Sequence, residues 1–148
     1  MLPSDEHIFQ GIHILGEMYG IEPELLDNVE LLEKALREGI EESGASLCGI
    51  QTKKFEPQGV TILGLLSESH ASIHTYPDRG ALFFDAFTCG TRCQPQKIAE
   101  ALSKVLNPSR TNLQSVVRGE DSSSREPLEF NSTALSESGF TENSGVCS

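Results

Sequence analysis

Residues 65–90 read LLSESHASIHTYPDRGALFFDAFTCG, two apolar runs that are interrupted by polar side chains and joined at residues 77–80. The joining residues suit a tight turn, because proline presets a backbone angle and glycine accepts positive φ values. If Tyr76 faces Ala81 across this turn, the numbers of opposed residues sum to 157 along both runs. The stretch therefore predicts a β-hairpin with a defined register.

One face of this hairpin collects polar groups. Side chains alternate between the two faces of a strand, so residues two apart share a face. In the predicted register His74 lies across from Phe83, and Ser72 lies across from Asp85. The shared face carries a carboxylate, two imidazoles, a hydroxyl and a thiol: Glu68, His70, Ser72, His74 and Cys89.

This polar face has more than one interpretation from its residues alone. Serine, histidine and glutamate are common on a solvent-exposed sheet face, and cysteine is often a small core residue. A serine nucleophile activated by a histidine is also open, with Ser67 or Ser69 in that role. No strand-to-helix nucleophile elbow of the G-x-S-x-G kind is present, however. The local pattern indicates a candidate site without selecting its chemistry.

The rest of the chain alternates between helix and strand patterns. Apolar residues recur at three- and four-residue steps over Pro23–Ser43 and Pro95–Asn107, which predicts two helices. The first helix would bury one stripe: Leu25, Leu26, Val29, Leu32, Leu36 and Ile40. Strands are predicted over Ile8–Tyr19, Ala45–Phe55, Gly59–Leu66, Ala71–Tyr76, Ala81–Phe87 and Leu113–Arg118. This order favours an α+β fold, a two-layer sandwich in which a mainly antiparallel sheet carries its helices on one face.

Composition argues against several functions. The 148 residues carry 22 acidic and 11 basic side chains, a net charge of −11, which argues against a nucleic-acid-binding surface. No apolar stretch is long enough to span a bilayer and the N-terminus lacks a signal-peptide pattern, so we expect a cytoplasmic protein that does not contact the membrane. The spacing of Cys89 and Cys93, with no second pair, argues against a metal site.

The last part of the chain differs from the rest. Residues 120–148 are rich in serine and acidic residues and show no apolar periodicity, which predicts a disordered, solvated tail. Residues 1–119 are therefore the predicted domain.

The hairpin stretch closely resembles the signature region of the short prokaryotic S-adenosylmethionine decarboxylases. In that family a similar S-E-S-H-x-x-I-H-T-x-P-E/D-x-G segment leads to D-x-F-T-C-G. Three further segments are similar to the family's N-terminal strand, first helix and next connection: GIHILGEMYG, LLDNVELLEKAL and SGAS…FEPQGVT. The resemblance covers residues 10–118.

The resemblance implies that the chain is a proenzyme that cuts itself at the Glu68–Ser69 bond. The Ser69 hydroxyl would attack the preceding carbonyl to form an ester, and elimination followed by hydrolysis would leave a pyruvoyl group. His74 is implied as the base that removes the Ser69 α-proton, because an imidazole can be neutral near pH 7. The two fragments would be residues 1–68 and 69–148.

The resemblance also implies a carboxy-lyase that acts on S-adenosylmethionine. The pyruvoyl ketone would form a Schiff base with the substrate amine and take up the electrons released with CO2, without pyridoxal phosphate or a metal. Cys89 is implied as the proton donor, since a thiol with a pKa of about 8.5 is mostly protonated at neutral pH. The product would supply aminopropyl groups for spermidine synthesis, and the enzyme is expected to be a homodimer of cleaved chains.

The resemblance also points to residues that would contact the substrate. Phe55 aligns with an aromatic position that stacks on adenine in the family, although core packing explains it equally well. Glu68 would bind the ribose hydroxyls after cleavage. Thr61 keeps a hydroxyl where a relative has serine. His13 and Glu17, four apart on a predicted strand, are interpreted as structural or subunit-contact residues.

One mismatch and two alternatives accompany this hypothesis. Ser69 and His74 are five residues apart, so an ideal strand would point them to opposite faces. The cleavage site is therefore predicted to have an irregular backbone. The alternatives are the same chemistry on arginine or ornithine, and an uncleaved binding or regulatory homologue.

Overall fold

The computed structural model of the protein describes residues 9–67, 69–89 and 92–119. Its strands and helices follow in the order β1 (Gln10–Tyr19), α1 (Pro23–Leu26), α2 (Val29–Ser43), β2 (Leu47–Lys54), β3 (Val60–Leu66), β4 (Ser69–Tyr76), β5 (Ala81–Cys89), α3 (Gln96–Leu106) and β6 (Arg110–Gly119). A 3₁₀ turn over Pro77–Arg79 joins β4 to β5. The predicted tail, residues 120–148, lies outside the described residues.

The strands form one antiparallel sheet in the order β2-β3-β4-β5-β1-β6. The first strand of the chain thus lies between the fifth and the sixth, in the interior of the sheet. Helices α2 and α3 pack against each other and cover one face of the sheet. The predicted two-layer α+β fold is confirmed.

The predicted single helix over residues 23–43 is wrong in one respect, because the segment forms two helices. The break lies at Asn28, whose side chain accepts a hydrogen bond from the Leu31 backbone N–H at 3.2 Å and so caps the start of α2. Asp27, just before it, accepts hydrogen bonds from the Gly59 N–H at 2.8 Å and from Lys54 at 2.9 Å. These two contacts fix the break against the β2–β3 connection.

The core lies between the helices and the covered face of the sheet. The predicted helical stripe is confirmed: Leu26, Leu32, Leu36 and Ile40 are buried, and Leu25 and Val29 are partly buried against the same core. Gly39 allows α3 to approach α2 closely, since a Cβ there would lie 2.9 Å from the Ile98 Cα. Among the described residues, no helix is long and apolar enough to cross a membrane.

Candidate active site

The predicted hairpin register is confirmed. Ser72 pairs with Asp85, His74 pairs with Phe83, and the outermost pair joins Tyr76 to Ala81 across the turn. The predicted pairing of Glu68 with Cys89 lies outside the described residues. Because the register is correct, the side chains of His70, Ser72 and His74 lie on the face of the sheet that carries no helix; we call this the open face.

Asp85 is the centre of a hydrogen-bonded cluster on the open face. His13 Nε2 lies 2.8 Å and His70 Nε2 lies 3.0 Å from the same carboxylate oxygen, Oδ2. The Ser72 hydroxyl donates to the other oxygen. We refer to His13, His70, Ser72 and Asp85 as the open-face cluster.

The charge of Asp85 is maintained by its partners. Burial raises the pKa of this carboxyl, but the hydrogen bonds from Ser72, His13 and His70 together outweigh burial and hold the pKa below its ordinary value. The carboxylate is therefore ionised at neutral pH and acts only as an acceptor. Both imidazoles must then donate to it through Nε2.

The spacing of this cluster would also suit a divalent metal, since ligand atoms of His13, His70 and Asp85 all lie within 4.8 Å of one another. The surroundings favour hydrogen bonding instead. The Arg118 guanidinium lies 3.4 Å from His13 Nδ1 and can only donate, so Nδ1 accepts and the ring carries its proton on Nε2. A metal ligand needs the lone pair of Nε2, which this arrangement assigns to a proton.

His74 lies in a second group of residues on the open face. A hydrogen bond of 3.1 Å joins its Nδ1 to the Thr61 hydroxyl on β3. Both residues line a cavity of about 440 Å³ together with Phe55 and Tyr76. The structure thus brings three residues singled out by sequence, Phe55, Thr61 and His74, into one concave site.

Ser69 lies at the start of its strand. β3 ends at Leu66 and β4 begins at Ser69, so Ser69 is the first residue after the connection between the two strands. The Ser69 hydroxyl donates to the Ser67 carbonyl at 3.3 Å. Glu68 itself lies outside the described residues, and so does its expected contact with the substrate ribose.

The structure does not bring Ser69 and His74 together. The pairing of β3 with β4 runs without interruption from Leu66–Ser69 to Thr61–His74. Five steps along the strand put the Cα atoms of Ser69 and His74 about 16 Å apart. This regular pairing does not carry His74 to Ser69. The irregular backbone predicted at the cleavage site falls on Glu68, outside the described residues.

Cys89 is the last residue of β5. It is half-buried and pairs with Gly11 of the neighbouring strand β1. Asp85, four residues earlier on the same strand, shares its face by the two-residue period. The predicted proton donor and the centre of the open-face cluster therefore lie along one strand.

Two members of the open-face cluster, Asp85 and His13, were not predicted as site residues from the sequence. The predicted register already set Asp85 opposite Ser72, and the face rule would have put its carboxylate beside His70. No comparable signal existed for His13, because nothing local indicates that β1 pairs with β5.

Comparison with known proteins identifies the family of this chain. The sequence model of the S-adenosylmethionine decarboxylase family matches residues 12–119. The chain belongs to this family.

Named relatives cover most of the chain. An S-adenosylmethionine decarboxylase proenzyme from Brevibacillus brevis is 44% identical over 109 residues, which are 74% of this chain and 82% of that protein. A protein of the same name from Methanococcus maripaludis is 41% identical over 109 residues, 74% of this chain and 89% of the relative.

Solved structures share the fold. The adenosylmethionine decarboxylase of Aquifex aeolicus superposes with a TM-score of 0.69 at 29% identity, covering 83% of this chain and 98% of that one. A Trypanosoma brucei AdoMetDC monomer superposes with a TM-score of 0.52 at 18% identity, covering 69% of this chain and 44% of that one, and supports the fold alone.

Proposed function

We propose that this chain is a proenzyme that cuts itself at Glu68–Ser69 and then decarboxylates S-adenosylmethionine. The observation that carries the proposal is the position of Ser69. It is the first residue of β4, directly after the hairpin turn, in a chain whose relatives are named S-adenosylmethionine decarboxylase proenzymes. A cut at the turn leaves both strands paired, so the sheet can survive cleavage.

The residues present fit a pyruvoyl group made from Ser69. Its side chain is partly exposed and its hydroxyl has one weak partner, the Ser67 carbonyl, so it is available to attack the carbonyl of Glu68. A base then removes the Ser69 α-proton, after which the Glu68 carboxylate leaves and hydrolysis releases ammonia. The ketone so formed supplies the electron sink that decarboxylation of an α-amino acid requires.

The base is His74 of a second copy of the chain. Within one chain His74 is about 16 Å from Ser69, which is beyond the reach of direct proton transfer. Each site takes Ser69 and Cys89 from one copy and takes His74 with Thr61 and Phe55 from the other. A two-fold dimer forms two such sites, because each copy contributes Ser69 and Cys89 to one site and His74 to the other.

The open face suits this association. It carries large apolar side chains that are exposed in one copy: Leu15 (42%), Leu63 (49%), Leu65 (62%) and Phe83 (39%). Several large exposed apolar side chains on one sheet face favour an interaction site. A homodimer joined through the open faces covers it and encloses the composite sites.

Within the composite site the chain's residues divide the remaining work. Phe55 stacks on the adenine, and the cavity that it lines with His74 holds the adenosyl part of the substrate. Cys89 delivers a proton to the substrate carbon after CO2 leaves. The net charge of −11 favours approach of a sulfonium cation.

The decisive test of the composite site mixes two inactive copies. Ser69→Ala and His74→Ala chains, each with its own tag, should remain whole when expressed separately. When they are expressed together, the His74→Ala chain should be cut, because its Ser69 meets the intact His74 of the partner. Mass spectrometry of each tagged chain gives the result. Absence of cleavage in a verified mixed dimer would contradict the composite site.

The activity itself is tested on the wild-type chain. We expect two fragments split at Glu68–Ser69, the larger with a ketone in place of its amine, and release of labelled CO2 from S-adenosylmethionine. A chain that stays whole, or that releases CO2 only from arginine or ornithine, would overturn the proposal. Cys89→Ala should still be cut but turn over slowly.

A further inference from the structure

His70 directly follows Ser69, the proposed precursor of the reactive group, along the chain. Its Nε2 donates to Asp85 Oδ2 at 3.0 Å. Its ring lies against Phe87 and His13, with centroid distances of 6.2 Å and 5.7 Å. These contacts hold the second residue of β4 to the neighbouring strand β5.

Cleavage changes what holds the start of β4. In the uncut chain the hairpin turn ties Ser69 to β3, and the Ser69 hydroxyl donates to the Ser67 carbonyl. The cut removes the covalent tie, and formation of the ketone consumes the hydroxyl. Residue 69 becomes a chain end, and chain ends fray unless they are held. Of the side-chain bonds described above, the one nearest the new end is then His70 to Asp85.

We propose that the His70–Asp85 pair is a clamp that positions the new N-terminus of the cleaved chain against the strand that carries Cys89. This role rests on the proposed function and assigns His70 and Asp85 as positioning residues. Asp85 and Cys89 share one face of β5, so the clamp fixes the reactive carbon relative to the proton donor. The Ser72 hydroxyl and His13 hold Asp85 in place from either side.

His13 provides a matched control within the same cluster. It donates to the same oxygen of Asp85 at 2.8 Å, but it lies on β1 and is not bonded to Ser69. Loss of either imidazole removes one hydrogen bond from Asp85. Only loss of His70 removes a side-chain contact next to the chain end, which the backbone pairing of β4 alone then holds.

Hydrogen exchange tests the clamp without reference to activity. In the cleaved protein, His70→Ala should speed amide exchange over residues 70–76 by about tenfold or more, because a hydrogen bond to a charged group is lost at an untethered end. In the uncut Ser69→Ala background the same substitution should change exchange less than about threefold, since the turn still holds the strand. An equal effect in both backgrounds would mean an ordinary structural contact and would overturn the clamp.

Kinetics supply the second readout. The His70→Ala chain should still cut itself, but its kcat should be about 10- to 100-fold lower with little change in KM. The reason is that a shift of the reactive carbon by about 1 Å lowers the rate by a factor of that size. His70→Gln, whose amide can donate to Asp85, should recover part of the loss. His13→Ala should lower kcat by clearly less than His70→Ala does, because Ser72 and His70 still hold Asp85. Equal losses for both alanine variants, or none for His70→Ala, would contradict the clamp.

Failure of the clamp and failure of the proposed function would give different results. If the wild-type chain neither cuts itself nor releases CO2, the function is wrong. If it does both while His70→Ala behaves like His13→Ala, the function stands and the clamp is wrong. Should His70→Ala fail to cut, Asp85→Asn replaces it in the same comparison, because Asp85→Asn keeps both imidazoles.

Discussion

The two faces of the single sheet differ in almost every respect, although the same strands form both. On β5, Leu82, Phe84 and Ala86 are buried under the helices, whereas Phe83, Asp85 and Phe87 alternate with them on the open face. The covered face has apolar side chains packed into the core. The open face has ionisable groups, hydrogen-bonded rings and exposed apolar residues. The difference indicates that one face stabilises the fold of a single copy, whereas the other is the face on which the proposed second copy would pack.

The largest expected effect is the difference in stability loss between substitutions at two neighbouring residues of β5, Leu82 and Phe83. Leu82→Ala should lower the free energy of unfolding by about 2–5 kcal/mol, because it leaves a cavity in a packed core. Phe83→Ala, one residue later on the open face, should cost less than about 1 kcal/mol in the monomer. Denaturant unfolding of uncut Ser69→Ala chains at a concentration where they are monomeric measures both. Equal costs would remove the distinction between the faces.

A second comparison concerns two buried threonine hydroxyls on the covered face. The Thr75 hydroxyl accepts from the Val60 N–H at 2.9 Å and donates to the Leu26 carbonyl at 2.7 Å. Among the described residues, the Thr88 hydroxyl is the buried side-chain group that has no partner. Thr75→Val should destabilise the uncut chain by about 1–3 kcal/mol, because two backbone groups lose their partner.

Thr88→Val should instead be neutral or stabilising by up to about 1 kcal/mol, because it replaces an unpaired hydroxyl with a methyl of the same shape. Urea unfolding of the two valine variants, side by side, gives the comparison. A loss of stability in Thr88→Val as large as that in Thr75→Val would contradict the absence of a partner for Thr88.

The open face can be tested through the contact between Thr61 and His74. Thr61→Val keeps the shape of the side chain but removes the 3.1 Å hydrogen bond that orients the imidazole. We expect self-cleavage to slow by about tenfold, equivalent to about 1.4 kcal/mol, with stability nearly unchanged. Thr61→Ser, which keeps the hydroxyl, should cut at the wild-type rate. A wild-type rate for Thr61→Val would mean that the contact does not orient the base.

The smallest expected effect is the response of Asp85 to acid. Hydrogen bonds hold its folded pKa below the value of about 3.9 expected in the unfolded chain. Its contribution to stability is therefore complete above about pH 5 and is lost as pH falls through the unfolded and then the lower, folded pKa. We expect wild type to lose up to about 1 kcal/mol relative to Asp85→Asn between pH 5 and pH 2. Parallel acid titrations of the two proteins would contradict this assignment.

The sequence was most informative where structure depends on neighbours along the chain. The turn at residues 77–80 and strict alternation were enough for the β4–β5 register, including the pairing of Ser72 with Asp85. The helical stripe through Leu32, Leu36 and Ile40 predicted which side of α2 is buried. The break at Asn28 was missed because the apolar spacing continues through it, while the cap depends on one side-chain hydrogen bond.

The chemical groups on β4 and β5, and the face on which each one lies, could be predicted from local sequence, because they follow from one turn and a two-residue period. Only the tertiary structure placed β1 between β5 and β6, so that His13 reaches Asp85 across 72 positions of the chain. Only the tertiary structure showed the unbroken β3–β4 pairing that keeps His74 away from Ser69. Long-range strand pairing is decided by how the whole sheet buries its apolar face, and no local pattern encodes it.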